Sequence, residues 1–204
     1  MVSIEFYFDC SSPWTYLGFE RVQPLAEESG AELEWKPILV GGIFNAVNQS
    51  VYHERDNPVP AKTAYQAKDL GDWARHVGIT IVWRPSVFPV NAVKAMRACL
   101  AAQEEGRVVE FARATFEAYW GRDEDISQEH VLGALAEQTG LDRAGLLARI
   151  AEPEIKARLR HNTEEVIGRG GFGSPTMFVG QEMFFGNDRL PLVRDAVARA
   201  KAAG

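Results

Sequence analysis

Strand periodicity occurs only at the two ends of this chain, and helical periodicity fills nearly everything between them. Residues Val2 to Phe8 alternate, with Ile4, Phe6 and Phe8 on one face and Tyr7 on the other. Asp9-Cys-Ser-Ser-Pro follows, and its polar caps and early proline are helix-start signals. A helix is expected from about Trp14 to Glu28, kinked at Pro24 and closed by Gly30 as its C-terminal cap. Ala31, Leu33 and Trp35 alternate with charged neighbours and read as a second strand. At the far end, Thr176–Val179 and Glu182–Phe185 flank Gly180-Gln181, a two-residue hairpin turn. Leu190, Val193, Val197 and Ala200 then share one face of a terminal helix, which Asn187 or Asp188 would cap.

The polar segment Gly41 to Pro60 reads as a long loop, a length often tied to function. Helices are expected over Lys62–Val77, Asn91–Glu105, Val108–Trp120, Gln128–Thr139 and Pro153–Ile167, with Ser127 as an N-cap. The order β-α-β, helices, β-β-α is that of an α/β thioredoxin-like domain with an all-helical insertion. The domain would comprise residues 1–60 and 168–204, and the insertion 61–167. Ser174-Pro175 stands directly before a strand, where thioredoxin folds keep a cis-proline beside the active site. The first helix begins Ser12-Pro13-Trp14-Thr15, where redox members carry C-P-x-C. Dithiol exchange needs an attacking thiolate and a resolving thiol, so that chemistry is excluded at this position.

Composition narrows the function classes. A net charge of −6 argues against a general nucleic-acid binder. No apolar run approaches the length of a membrane span, and the N-terminus lacks the features of a secretory signal, so the cytoplasm is the expected compartment. Cys10 and Cys99 stand far apart and form no disulfide scaffold, although a single bridge between them stays open. His53, His76, His130 and His161 show no metal-ligand spacing, so no metal is expected. Gly168-Arg-Gly-Gly-Phe-Gly follows a helix and precedes a strand, the reverse of a dinucleotide loop, and reads as a connector.

Phe6-Tyr-Phe-Asp-Cys-Ser-Ser-Pro-Trp-Thr-Tyr-Leu-Gly resembles the opening of the 2-hydroxychromene-2-carboxylate isomerases and the related kappa-class glutathione transferases. Phe172-Gly-Ser-Pro-Thr-Met-Phe-Val and Phe185-Gly-Asn-Asp-Arg-Leu are similar to the glutathione-binding tail of that family, and Tyr65, Asp69–Trp73 and Phe88–Ala92 also fit. The resemblance implies glutathione as cofactor, a small aromatic substrate and a homodimer. It assigns Ser12 as the catalytic serine, with Ser11 the competing position; either would otherwise be an ordinary helix cap. Glutathione would further meet Ser174 through its backbone, and Phe185, Gly186, Asn187 and Asp188 at its γ-glutamyl end. Asn48 is a looser match to another glutathione contact.

Trp14, Trp83, Phe88 and Trp120 are candidates for an aromatic pocket, although core packing is the better explanation for at least two of them; Lys62 and Arg84 are candidates for the substrate carboxylate, although a solvated surface would explain either equally well. Cys10 reads as a small buried hydrophobe. The loop Gly41-Gly-Ile-Phe-Asn has no lysine where some members carry one, which bears on substrate identity. The resemblance leaves three expectations side by side: a glutathione-dependent isomerase first, a kappa-like transferase second, and a non-catalytic binding module third.

Overall fold

The computed structural model describes residues Met1–Gly204. Strand β1 (Ser3–Phe8) leads into α1 (Pro13–Ser29) and returns as β2 (Glu32–Pro37); the hairpin β3 (Thr176–Val179) and β4 (Glu182–Phe185) comes near the end. The sheet order is β2-β1-β3-β4, with β1 parallel to β2 and antiparallel to β3. This is the thioredoxin arrangement. The first β-α-β unit supplies the parallel pair, and the C-terminal hairpin adds to the free side of β1.

The alternation in β1 decides what covers each side. Ile4, Phe6 and Phe8 join a large core with Phe19 and Val22 of α1 and with Val193 and Val197 of α10 (Leu190–Ala203). Tyr7 enters a small second cluster with Ile38, Ile43, Val166 and Phe178. Helix α1 opens with Pro13 at its first turn and ends at Gly30, whose φ of 57° and backbone N–H to Glu27 O (3.0 Å) make a left-handed cap.

The segment Gly41–Pro60 is not a loop. It holds α2 (Val40–Val47) and α3 (Ser50–Asp56). Distant side chains satisfy the first amides of α2: Asp9 Oδ2 accepts from Val40 N at 2.8 Å, and Thr163 Oγ1 from Leu39 N at 3.0 Å. Gly42 is there for space, since a Cβ would lie 3.3 Å from Thr163 Cγ2. Gly42, which signals a loop locally, is here the condition for a close helix contact.

The intervening helices are α4 (Pro60–Val77), α5 (Val93–Glu104), α6 (Val108–Phe116), α7 (Glu129–Gln138), α8 (Arg143–Arg149) and α9 (Pro153–Gly168). Helix α8 had no counterpart in the expected set; the Asp142 carboxylate caps it by accepting from Ala144 N and Gly145 N. Ser127 does not cap α7: Gln128 occupies that position, while Asp125 accepts from the Ser127 amide. Nor do Asn187 and Asp188 cap α10, because residues Asn187–Arg189 form a short 3-10 turn first.

The helical block is bonded to the sheet at its exposed edge. Gln103 Nε2 donates to Trp35 O and Asn162 Nδ2 to Pro37 O, each at 3.0 Å, covering carbonyls of edge strand β2 that would otherwise invite pairing with another chain. The stack of Tyr16 on Phe116 (5.0 Å, 3° between planes) joins α1 to α6 in the same core. No helix is long and apolar enough to cross a membrane.

Gly18 lets α1 lie against the last third of the chain. A Cβ there would meet Pro175 Cγ at 3.1 Å, Phe6 Cζ at 3.5 Å and Asn187 Cβ at 3.7 Å. Gly18→Val therefore wedges α1 off the sheet and should destabilise the protein by about 1–3 kcal/mol, read as a lower urea midpoint. An unchanged midpoint would show that this contact has slack.

Candidate active site

The turn between β1 and α1 determines the site. Ser12, with extended backbone angles of −108° and 122°, is the N-cap of α1, and its Oγ accepts from Thr15 N at 3.2 Å. Ser11 makes no such bond; its amide donates to Asp9 Oδ1 at 2.8 Å. Of the two serines, then, Ser12 stands at the helix start.

Because the Ser12 oxygen accepts the helical amide, its own hydrogen must point elsewhere. The protein acceptor within reach is Ser174 O, at 3.4 Å. Hydroxyl bonds normally close to 2.5–3.0 Å, so this one is long and weak. The hydroxyl is therefore free to turn toward a stronger acceptor at the positive end of α1, such as a thiolate.

Ser174 immediately precedes Pro175 through a cis peptide bond, at the position expected from the sequence. Its side chain is fully engaged inside the protein: Oγ accepts from Asp9 N at 3.1 Å and lies 2.8 Å from Thr15 Oγ1. Only its backbone is left to meet a ligand. Asp9 is buried, and burial pushes its carboxyl above the usual carboxylate range, while the bonds from the Ser11 and Val40 amides pull it back. Neither Asp9 nor Thr15 is singled out by the sequence; the available signal is an acid two residues before Ser11, at the end of an apolar strand.

The other candidates fall on neighbouring segments. Phe185 is 39% exposed, with its ring 4.5 Å from that of Phe172. Gly186 has a φ of 100°, a conformation suited to glycine, and leads into the Asn187–Arg189 turn. Asn187 is buried, and Arg21 of α1 donates to both its backbone oxygen (2.7 Å) and its Oδ1 (2.9 Å), so its side chain faces inward. The exposed Asp188 carboxylate pairs with Arg189 at 2.5 Å. Asn48 at the end of α2 donates to Phe172 O at 3.0 Å and accepts from Ser50 Oγ at 2.8 Å, so its amide ties α2 to the segment before Ser174.

An aromatic wall lies beside the serine turn. Helix α6 runs on into a π-turn, Glu117–Gly121, which carries Trp120. The Trp120 indole donates to Cys10 O at 2.9 Å, two residues before Ser12, and its ring lies 6.4 Å from both Trp83 and Phe88. Trp14 is half-buried and outside these ring contacts. Of the two carboxylate candidates, Lys62 is spent on Glu54 at 3.1 Å on the surface, while Arg84 lies over the Phe88 ring at 4.5 Å. Cys10 and Cys99 are both buried free thiols, and burial pushes Cys10 up, away from a reactive thiolate.

The DSBA-like thioredoxin domain model matches residues 3–198. A 2-hydroxychromene-2-carboxylate isomerase of Pseudomonas putida is 31% identical over 199 residues, which span 96% of this chain and 94% of the relative. Human glutathione S-transferase kappa 1 is 30% identical over 204 residues, spanning 94% and 88% of the two chains. A solved structure of 2-hydroxychromene-2-carboxylate isomerase superposes with a TM-score of 0.81 at 28% identity, over 97% of this chain and 95% of that one. The chain belongs to the DSBA-like thioredoxin family, in the branch of these isomerases and kappa-class transferases. Relatives named as isomerases and relatives named as glutathione transferases both align over nearly the whole chain.

The cap geometry separates the two serines experimentally. Ser12→Ala should cost about 1 kcal/mol of stability through loss of the α1 cap, whereas Ser11→Ala should stay within roughly 0.5 kcal/mol. Urea unfolding of both variants measures the difference.

Proposed function

We propose that this protein is a glutathione-dependent isomerase that interconverts 2-hydroxychromene-2-carboxylate and trans-o-hydroxybenzylidenepyruvate, or close aromatic relatives. The observation that carries the reading is the Ser12 hydroxyl, committed as acceptor to Thr15 N and only loosely as donor to Ser174 O. A donor left underused at a helix N-terminus fits a sulfur anion better than it fits a purely structural cap. The kinship to enzymes named as isomerases and as glutathione transferases points the same way.

When bound, glutathione supplies a thiolate that adds to the conjugated double bond of the substrate, frees its rotation and leaves again unchanged. Ser12 donates to the sulfur and keeps it anionic at neutral pH. The backbone of Ser174 pairs with the cysteinyl backbone as an added strand. The turn at Gly186–Asp188 receives the γ-glutamyl end, with Asp188 exchanging Arg189 for the ammonium group. Asn48 and Phe185 border the same ligand. Trp83 and Phe88 hold the aromatic ring of the substrate, backed by the buried Trp120. The reading includes a homodimer in the cytoplasm.

In the deciding experiment, substrate isomerisation is followed by absorbance while free thiol is titrated. One glutathione should support many turnovers, with total thiol constant. A kappa-like transferase, favoured by the human relative, would instead consume glutathione one for one. Thiol loss equal to substrate loss, across every aromatic pyruvate tried, overturns the isomerase.

Two variants test the roles. Ser12→Ala should lower kcat roughly 10- to 1000-fold, by analogy with removal of a single oxyanion donor. Asp188→Ala should raise the glutathione concentration for half-maximal rate more than it lowers the saturated rate, because its contact is remote from the sulfur. Initial rates over a glutathione series report both.

A further inference from the structure

Arg55 and Arg84 come from different parts of the chain and converge on one ring. The Arg84 guanidinium lies 4.5 Å from the centroid of Phe88, and that of Arg55 lies 5.9 Å from the same centroid and 5.8 Å from that of Phe44. Neither arginine appears in any of the ion pairs or side-chain hydrogen bonds of the protein, although acidic residues outnumber basic ones, 28 to 22. Glu54 is engaged with Lys62 and Asp123 with the amide and hydroxyl of Ser86, while the exposed Asp56, next in the chain, makes no ion pair with Arg55. Two exposed guanidiniums beside one ring repel each other, and an anion that pairs with both relieves that repulsion.

The position of Arg55 adds to this. Helix α3 buries no residue, so core packing does not explain why it lies where it does. Its aromatic contacts are made by Tyr52, whose hydroxyl donates to Asn45 Oδ1 and whose ring meets Phe44 edge-on, and by Arg55, which leans over rings from α2 and from the segment before α5. From Phe88 the aromatic wall runs through Trp120 to the carbonyl of Cys10, next to the Ser12 turn.

We propose that Arg55, with Arg84, seats the carboxylate of an aromatic 2-oxo acid, and that Arg55 is the specificity-determining residue for that anion. The proposal rests on the isomerase reading for the identity of the acid. A flat ring bound against Phe88 and the exposed Trp83, whose centroids lie 5.6 Å apart, then has its carboxylate end at the guanidinium pair, with the buried Trp120 backing Phe88 from the core side. A guanidinium fork suits this task better than an ammonium, because it pairs with a carboxylate through two hydrogen bonds while stacking on a ring.

The test uses the full chain and two probes that undergo no isomerisation at issue here, trans-cinnamate and its uncharged amide, cinnamamide, with binding read from quenching of tryptophan fluorescence. Wild-type protein should bind cinnamate more tightly than cinnamamide. Arg55→Gln should weaken cinnamate on the order of 10- to 100-fold, as expected for losing a hydrogen-bonded charge, and leave cinnamamide unchanged. Arg55→Lys should fall between. Equal binding of acid and amide by the wild type, or an equal loss of both in Arg55→Gln, overturns the carboxylate seat. Because the probes report binding without turnover, this result is separate from the thiol-balance assay, whose failure would overturn the isomerase reading and leave the anion preference measurable.

Discussion

A buried hydroxyl, that of Ser174, joins the first turn of the protein to its last sheet strands. Its oxygen accepts from Asp9 N and shares a hydrogen with Thr15 Oγ1, across sequence separations of 165 and 159 residues. All three groups lie out of water, where an unpaired polar atom costs about 1–3 kcal/mol. None of them is satisfied until β3 has docked beside β1. The serine at the head of α1 and the peptide before Pro175 are thus positioned together, by a bond that neither segment makes alone.

Asp9 extends the same constraint to a third segment. One carboxylate oxygen takes the Ser11 amide and the other the Val40 amide, so the serine turn and the start of α2 share one acceptor. At the other end of α2, Asn48 reaches the carbonyl of Phe172, two residues before Ser174. The segments at 9–12, 40–48 and 172–175 therefore form a closed frame around the helix N-terminus. A rigid frame of this kind lets a weakly bonded hydroxyl remain available without the turn collapsing onto it.

Electrostatics and shape divide the proposed site into two halves. At the Ser12 end the helix terminus and a hydroxyl favour a compact anion. At the other end two guanidiniums stand over Phe88, without carboxylate partners. Rings of Trp83, Phe88 and Trp120 lie between, and the indole of Trp120 fixes its position by bonding to Cys10 O. The π-turn at Glu117–Gly121 carries that indole, shifting it off the regular phase of α6.

The strand-helix-strand opening, the C-terminal hairpin and the helix start at Ser12-Pro13 were legible in the amino-acid order because each is specified by local signals: period-two alternation, an N-cap before proline, glycine at a turn. The match of both chain ends to one family marked the serine turn and the Gly186–Asp188 segment as candidates for the site. The misread elements were those whose partners are remote. Helix α2 reads as a loop because Gly42 and the unsatisfied first amides make sense only beside Thr163 and Asp9. Arg55 carried no pattern at all, since its meaning lies in a ring 33 residues away along the chain. Local propensity and periodicity set which elements form and where they begin. Only tertiary packing decided which polar groups would be spent on one another and which, like the Ser12 hydroxyl and the two arginines, would be left with bonding capacity to use.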